Sequence, residues 1–254
     1  MPFDPAFAAV AIAAVFIVAL AKSGLLGSVS ILGVPLLTLV MPAREAAGMM
    51  LPILVVMDAI GVIAYRREVH WPNLKVLLPG AAIGIGVGWA FWAATSEGAV
   101  RLLIGVIALI FVLDAWLPLR GRLQGRPPSR PWGVLWGAVA GFTSFVSHTG
   151  GPPCQIYTLP QRLPPAVYAG TTVVFFAVVN AAKVIPYVTL GQINIGSLTR
   201  TAALVPVAVA GMLVGIYLVR RISTGLFYRI AYALVFALAL KLIWDGAAAV
   251  WSAG

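Results

Sequence analysis

The sequence predicts an all-α integral membrane protein of two inverted-topology repeats, each with about five transmembrane segments, and with short broken or re-entrant helices near the midplane. Three observations predict it. The chain has 254 residues, of which 61% are hydrophobic and 9% charged, and its mean hydropathy is +1.01, more apolar surface than one soluble domain can hide. The second half echoes the first. Equivalent loops carry opposite charge patterns, which places them on opposite sides of a bilayer.

The echo comes in three blocks. Gly24, Ser30, Gly33 and Pro35 recur as Gly141, Ser147, Gly150 and Pro152 at a constant offset of 117. Gly48, Met57-Asp58 and Val62 to Tyr65 recur as Gly170, Val179-Asn180 and Val184 to Tyr187 at 122. Gly84, Gly88 and Gly98 fall on Gly211, Gly215 and Gly225 at 127. Three blocks in one order argue for duplication. The loop after Tyr65, "RREVHWPNLK", is basic, while the loop after Tyr187, "VTLGQINIGSL", is uncharged. The later pair, "TSEGAVR" and "RRISTGLFYR", reverses this. Opposite sides for equivalent loops require an odd number of crossings per half.

Each span needs roughly 20 apolar residues, and the segments follow in order: 6–22, 28–41, 44–65, 74–94 and 99–117, then 131–146, 150–160, 165–187, 197–219 and 225–245. The first lacks a preceding Lys or Arg and follows Asp4, so it reads as a retained helix and not as a signal peptide. The domains are 1–117 and 131–254, joined by a Pro- and Arg-rich linker, 118–130, on the cytoplasmic side with both termini periplasmic. The second segment of each half is interrupted by Gly and Pro and is too short for an ordinary span. Broken backbone at membrane depth survives only in protein or beside a watery cavity, and matched breaks in inverted halves point to a transporter's binding site.

These breaks supply the candidate chemistry. A half-helix starting after Gly150-Gly151 turns its positive dipole end and free N–H groups toward an anion. Ser147, His148, Thr149 and Gln155 add donors there, and Ser28, Ser30 and Gly33 do the same in the first half. Asn180, Lys183 and Tyr187 share one helical face, matched by Asp58 and Tyr65. An ionisable group this deep is a functional candidate by default. Lys183 either balances an anionic substrate or pairs with Asp58 across the repeat axis. His148 reads as a ligand, a proton-responsive group or a structural hydrogen-bonding group. Arg44 and Arg162, in equivalent loops, read as gate charges or interfacial anchors. Cys154, the single cysteine, reads as a packing residue.

The formal net charge of +10 lies between apolar segments and makes no basic face, which excludes nucleic acid. No Ser-His-Asp spacing, HExxH, P-loop or Cys/His cluster appears, so no enzyme, metal or cofactor is expected. An anion channel and a membrane-embedded enzyme stand as the alternatives to a small-oxyanion transporter. The text "GGPPCQIYTLPQRLPPAVYAGTTVVFFAVVNAAKVIPYVTLGQIN", with its first-half counterpart from Gly33 to Gly80, resembles the sulfite exporter TauE/SafE family, also called toluene sulfonate uptake permeases. The resemblance implies an inverted-repeat permease of a bacterial inner membrane that moves sulfite, sulfoacetate or other organosulfonates. The implied partners are a small sulfur-containing anion and the lipid bilayer, with a homodimer allowed.

Overall fold

Proline and small caps set where the helices begin. Pro5 opens α1 (Pro5–Leu20), whose first turn is capped by the Asp4 carboxylate accepting from the Ala6 N–H. Pro42 and Pro164, equivalent in the two repeats, precede α3 (Ala43–Tyr65) and α8 (Pro165–Thr189). Ser96 accepts from the Ala99 N–H at 3.3 Å and opens α5 (Glu97–Trp116). The remaining helices are α2 (Gly33–Leu37), α4 (Trp71–Ala94), α6 (Arg130–Ser147), α7 (Gly151–Thr158), α9 (Ile195–Leu218) and α10 (Thr224–Trp251). The computed structural model describes residues 4–22, 29–117, 129–218 and 224–252. The linker up to residue 128 and the segment with Gly24, Gly27 and Ser28 lie outside them.

All the described regular structure is helical. Among the described residues, six helices are long and apolar enough to cross a membrane: α3, α4, α5, α8, α9 and α10. Ile63 and Ile185, equivalent across the halves, are each 69% exposed on the outer surface, where an apolar side chain meets lipid at no cost. The two interrupted segments are short, as expected. Residues 29–37 form a 3₁₀ turn, Val29–Leu32, and the five-residue α2. Residues 150–160 form α7 and a 3₁₀ turn, Leu159–Gln161. At about 1.5 Å per residue, α7 covers about 12 Å of a roughly 30 Å core. Helix α10 runs six residues past the predicted end, because Asp245 is not a stop: it pairs with Lys241 one turn back at 2.5 Å.

Close packing gives the directions of the helices. Gly80, Gly84 and Gly88 of α4 lie against Val134, Ala138 and Phe145 in that order, so α4 and α6 run parallel. Phe7 and Phe16 of α1 meet Arg200 and Gly211 of α9, another parallel pair. In contrast α3 and α8 run antiparallel, with Gly48 at Gln192, Asp58 at Asn180 and Gly61 at Val173. So do α5 and α10, with Gly98 at Ala249 and Gly105 at Ile243. Exchanging the halves maps α4/α6 onto α9/α1, α3/α9 onto α8/α4, and α3/α8 and α5/α10 onto themselves.

The directions define two faces. The ends of α3 and α5 and the starts of α4, α6 and α8 share one face, the linker face, with exposed Arg66, Arg67, Lys75, Arg130 and Arg162. On the opposite, terminal face Arg44 and Arg101 pair with Glu97, each at 3.8 Å, and Arg200 pairs with Glu45 at 3.6 Å.

Two repeated glycines fix how α3 and α8 cross. A Cβ on Gly48 would stand 2.3 Å from the Gln192 carbonyl oxygen, and one on Gly170 1.9 Å from that of Glu68. Each half thus seats a glycine of its third helix under the loop that follows the other half's third helix.

Candidate functional site

The break between α6 and α7 is made by a residue other than the glycines the sequence suggests. His148 takes the left-handed conformation (φ 57°). Its N–H bonds the Ser144 carbonyl at 3.0 Å and the Thr149 N–H bonds the Thr143 carbonyl at 3.3 Å, closing the helix as a left-handed C-cap. Gly150 stays right-handed and is needed for another reason, since a Cβ there would meet the Ala140 carbonyl at 2.5 Å. Helix α7 then runs back along α6, with Tyr157 beside Gly133. Helix α2 likewise begins against α1, with Gly33 on Val18.

The two returns enclose a cavity of about 1040 Å³ between α1, α2, α3, α6, α7, α8 and α9. Lys22, Asp58, Ser144, His148 and Asn180 form its floor. Ser30, Gly33, Gly151 and Gln155 line the wall from the two interrupted segments. Tyr65, Tyr168, Thr172 and Tyr217 lie toward the linker face, where the ends of α3 and α9 frame the mouth. Beyond the floor, Trp92, Phe145 and Tyr187 stack with centroids 5.1 to 6.3 Å apart and close the terminal side.

The floor is a charged network. Lys22 Nζ donates to Asp58 Oδ1, and Asn180 Nδ2 donates to Asp58 Oδ2 at 2.5 Å. Asp58 is 5% exposed, with both oxygens engaged. Asp58 and Asn180 stand at the sequence offset of 122, and the two matched positions meet as an acid and an amide. Lys183, fully buried, donates from Nζ to the Ser144 carbonyl at 2.8 Å, to Ser144 Oγ at 2.9 Å and to His148 Nδ1 at 2.8 Å. Its three donors therefore have three acceptors. His148 Nε2 faces the Ala47 carbonyl at 2.9 Å and must donate to it, leaving Nδ1 as the acceptor of a neutral ring. Lys22 and Asp58 are the floor's ion pair, and Lys183 stands one layer behind it, off the cavity wall.

Several expected positions lie elsewhere. Ser147 and Thr149 are each 1% exposed and face each other, Oγ to Oγ1 at 2.7 Å, with both hydroxyls directed at the Thr143 carbonyl. The C-cap turns them into protein, away from the cavity. Lys183 stands behind Ser144 and His148, and its expected pairing with Asp58 is replaced by Lys22 on that acid. Tyr187 is fully buried and donates to the Phe145 carbonyl at 2.5 Å. The α7 end offers fewer donors than predicted: of its first three residues only Gly151 has an N–H, because Pro152 and Pro153 lack one, and the Cys154 N–H bonds the Gly150 carbonyl. Arg44 bonds the carbonyls of Trp92 and Thr95 and stacks on Trp92 at the joint of α3, α4 and α5, while Arg162 is exposed on the linker face. Ser28 falls outside the described residues.

Lys22, Ser144, Tyr168 and Thr172 are lining residues that sequence reasoning missed. Lys22 had a signal: it is the only charge between Asp4 and Arg44. Among the described residues no group of three or more His, Cys, Asp or Glu is arranged to hold a metal.

Antiparallel helix pairs around an interior cavity floored by a lysine–aspartate pair define a multi-pass helical membrane protein. The Sulfite exporter TauE/SafE family model matches residues 11–242, and the chain belongs to that family of membrane transporters. No curated protein and no solved structure matches the chain.

Proposed function

We propose that this protein exports a small sulfur-containing oxyanion, such as sulfite, sulfoacetate or another organosulfonate, across a bacterial inner membrane by alternating access. The observation that carries this reading is the floor: the Lys22–Asp58 ion pair, beside the polar groups of Ser144, His148 and Asn180, lies in a cavity walled by both interrupted segments. An anion entering from the linker face meets Lys22, whose partner Asp58 holds it neutral while the cavity is empty. The substrate shares that ammonium with Asp58, so the empty carrier holds Lys22 without a bare buried cation.

Residues 1–117 and 131–254 act as inverted repeats about an axis between α3 and α8. The antiparallel packing of α3 on α8 and α5 on α10, and the exchangeable helix partners, support this. The basic linker face supports a cytoplasmic linker with periplasmic termini. A potential negative inside favours anion exit by about 2.3 kcal/mol per charge per 100 mV, so export needs no coupling ion.

The test is efflux from vesicles reconstituted with the full chain and loaded with sulfite, thiosulfate, sulfoacetate or taurine. Saturable efflux of at least one sulfur oxyanion, lost in Lys22→Gln/Asp58→Asn with the thermal melt near that of the wild type, is the expected result. Non-saturating current would indicate a channel, and no movement of any of the four would end the sulfur-anion reading.

A further inference from the structure

A second cleft, of about 640 Å³, opens beside the starts of α4 and α6 on the linker face, across the α6–α7 hairpin from the main cavity. We propose that it is a binding site for a phosphate-type group.

Four features converge there. Lys75 and Arg130 line it, both exposed, and among the described residues neither forms an ion pair and no carboxylate lines the cleft. Helices α4 and α6 run parallel, so two positive dipole ends open side by side. Their N-cap residues, His70 and Ser129, both line the cleft, and neither uses its side chain to cap its own helix. Asn73, which also lines it, is 3% exposed, and its Nδ2 has no hydrogen-bond acceptor. His70 Nδ1 is likewise buried without a partner. A buried amide donor without an acceptor costs roughly 1–3 kcal/mol, and such a group in a native structure calls for a partner such as an ordered water or a bound ion.

An oxyanion with several acceptor oxygens satisfies this set: charge for the two cations and lone pairs for the Asn73 amide and the Ser129 hydroxyl. The volume exceeds what a free phosphate ion fills, and the cleft lies on the face toward which lipid headgroups would project. The same phosphate chemistry comes from an anionic phospholipid headgroup or from free phosphate. Tyr157 of α7 also lines the cleft, and α7 carries Gly151 and Gln155 to the main cavity, so the occupant braces the hairpin that walls the transport site. The proposal is independent of which substrate the main cavity takes.

The experiment uses the purified full chain in neutral detergent. Native mass spectrometry and thermal melts are recorded with phosphatidylglycerol, phosphatidylcholine and inorganic phosphate, for the wild type, for Lys75→Gln/Arg130→Gln, and for Asn73→Asp, which puts a carboxylate where the orphan amide stood. The wild type is expected to retain phosphatidylglycerol over phosphatidylcholine, with affinity about tenfold weaker in each variant, as the loss of charged hydrogen bonds implies. Stabilisation by phosphatidylglycerol alone identifies a lipid site, and stabilisation by inorganic phosphate as well identifies a site open to the free anion. Retention that is unchanged in both variants, or equal for the two lipids, overturns the proposal.

Discussion

Tyr65 and Tyr187 end equivalent stretches of α3 and α8, yet their surroundings differ. Tyr65 is half-buried and lines the cavity near its mouth at the linker face. Tyr187 is fully buried at the terminal side, bonded to the Phe145 carbonyl and stacked with Phe145, Trp92 and His148. One duplicated position therefore stands at an open end and the other in a plug. Under the proposed alternating access, exchanging those two environments would give a second conformation built from the same contacts, open to the opposite face. The glycine seats do not share this asymmetry, since Gly48 and Gly170 are both closed on the opposite half. The difference separates the parts that would exchange from the pivot that would hold.

The largest expected effect probes the ion pair of the floor. Lys22→Met leaves Asp58 buried with only Asn180, and we predict a loss of about 3–5 kcal/mol of stability together with abolished transport. Adding Asp58→Asn to that variant restores most of the stability without restoring flux. Denaturant melts of the two variants in one detergent check this, and a double variant as unstable as the single one would mean that Asp58 is not the cause.

A smaller effect tests whether the pivot is symmetric. Gly48→Ala and Gly170→Ala each push a methyl group into a backbone carbonyl, and we expect each to lose about 1–3 kcal/mol by the same assay. A large loss at one position and none at the other would break the pivot. Smaller again is the contrast of the tyrosines. Tyr187→Phe forfeits its bond to Phe145 and about 0.5–1.5 kcal/mol, while Tyr65→Phe changes stability by less than about 0.5 kcal/mol. Equal effects would erase the open and closed distinction. The smallest change belongs to Gly86→Ala, where an added Cβ meets nothing within 4 Å. Stability there holds or rises by less than about 1 kcal/mol through helix propensity.

Much of the fold was legible because hydropathy and Gly/Pro punctuation are local signals. The long spans, the two interrupted segments and the glycines at 48 and 170 all follow from residue order. The cavity floor was legible only in part. Asp58 and Asn180 stand out as a duplicated polar position in apolar helices, but their direct hydrogen bond needs the crossing of α3 and α8. Lys22 was missed because an ammonium at the end of an apolar run looks like an interfacial anchor, and only the packing of α1 brings it to Asp58. Ser147 and Thr149 were drawn to the cavity by the Gly-rich break. Their real orientation depends on His148 taking the left-handed turn, which glycines two residues on gave no reason to expect. The proline pair at 152 and 153 marks the start of α7 and also removes two of the amides that the helix end would have offered.

The most direct measurement of alternating access is side-specific labelling in sealed vesicles, in a Cys154→Ala background. A cysteine at Ala64, exposed near the mouth, reports the linker face, and one at Ala47, fully buried beneath His148, reports the closed side. Under a saturating sulfur oxyanion the account predicts that an impermeant maleimide labels position 64 more slowly, and position 47 faster from the opposite face. Unchanged labelling at both positions with every transported anion would contradict it.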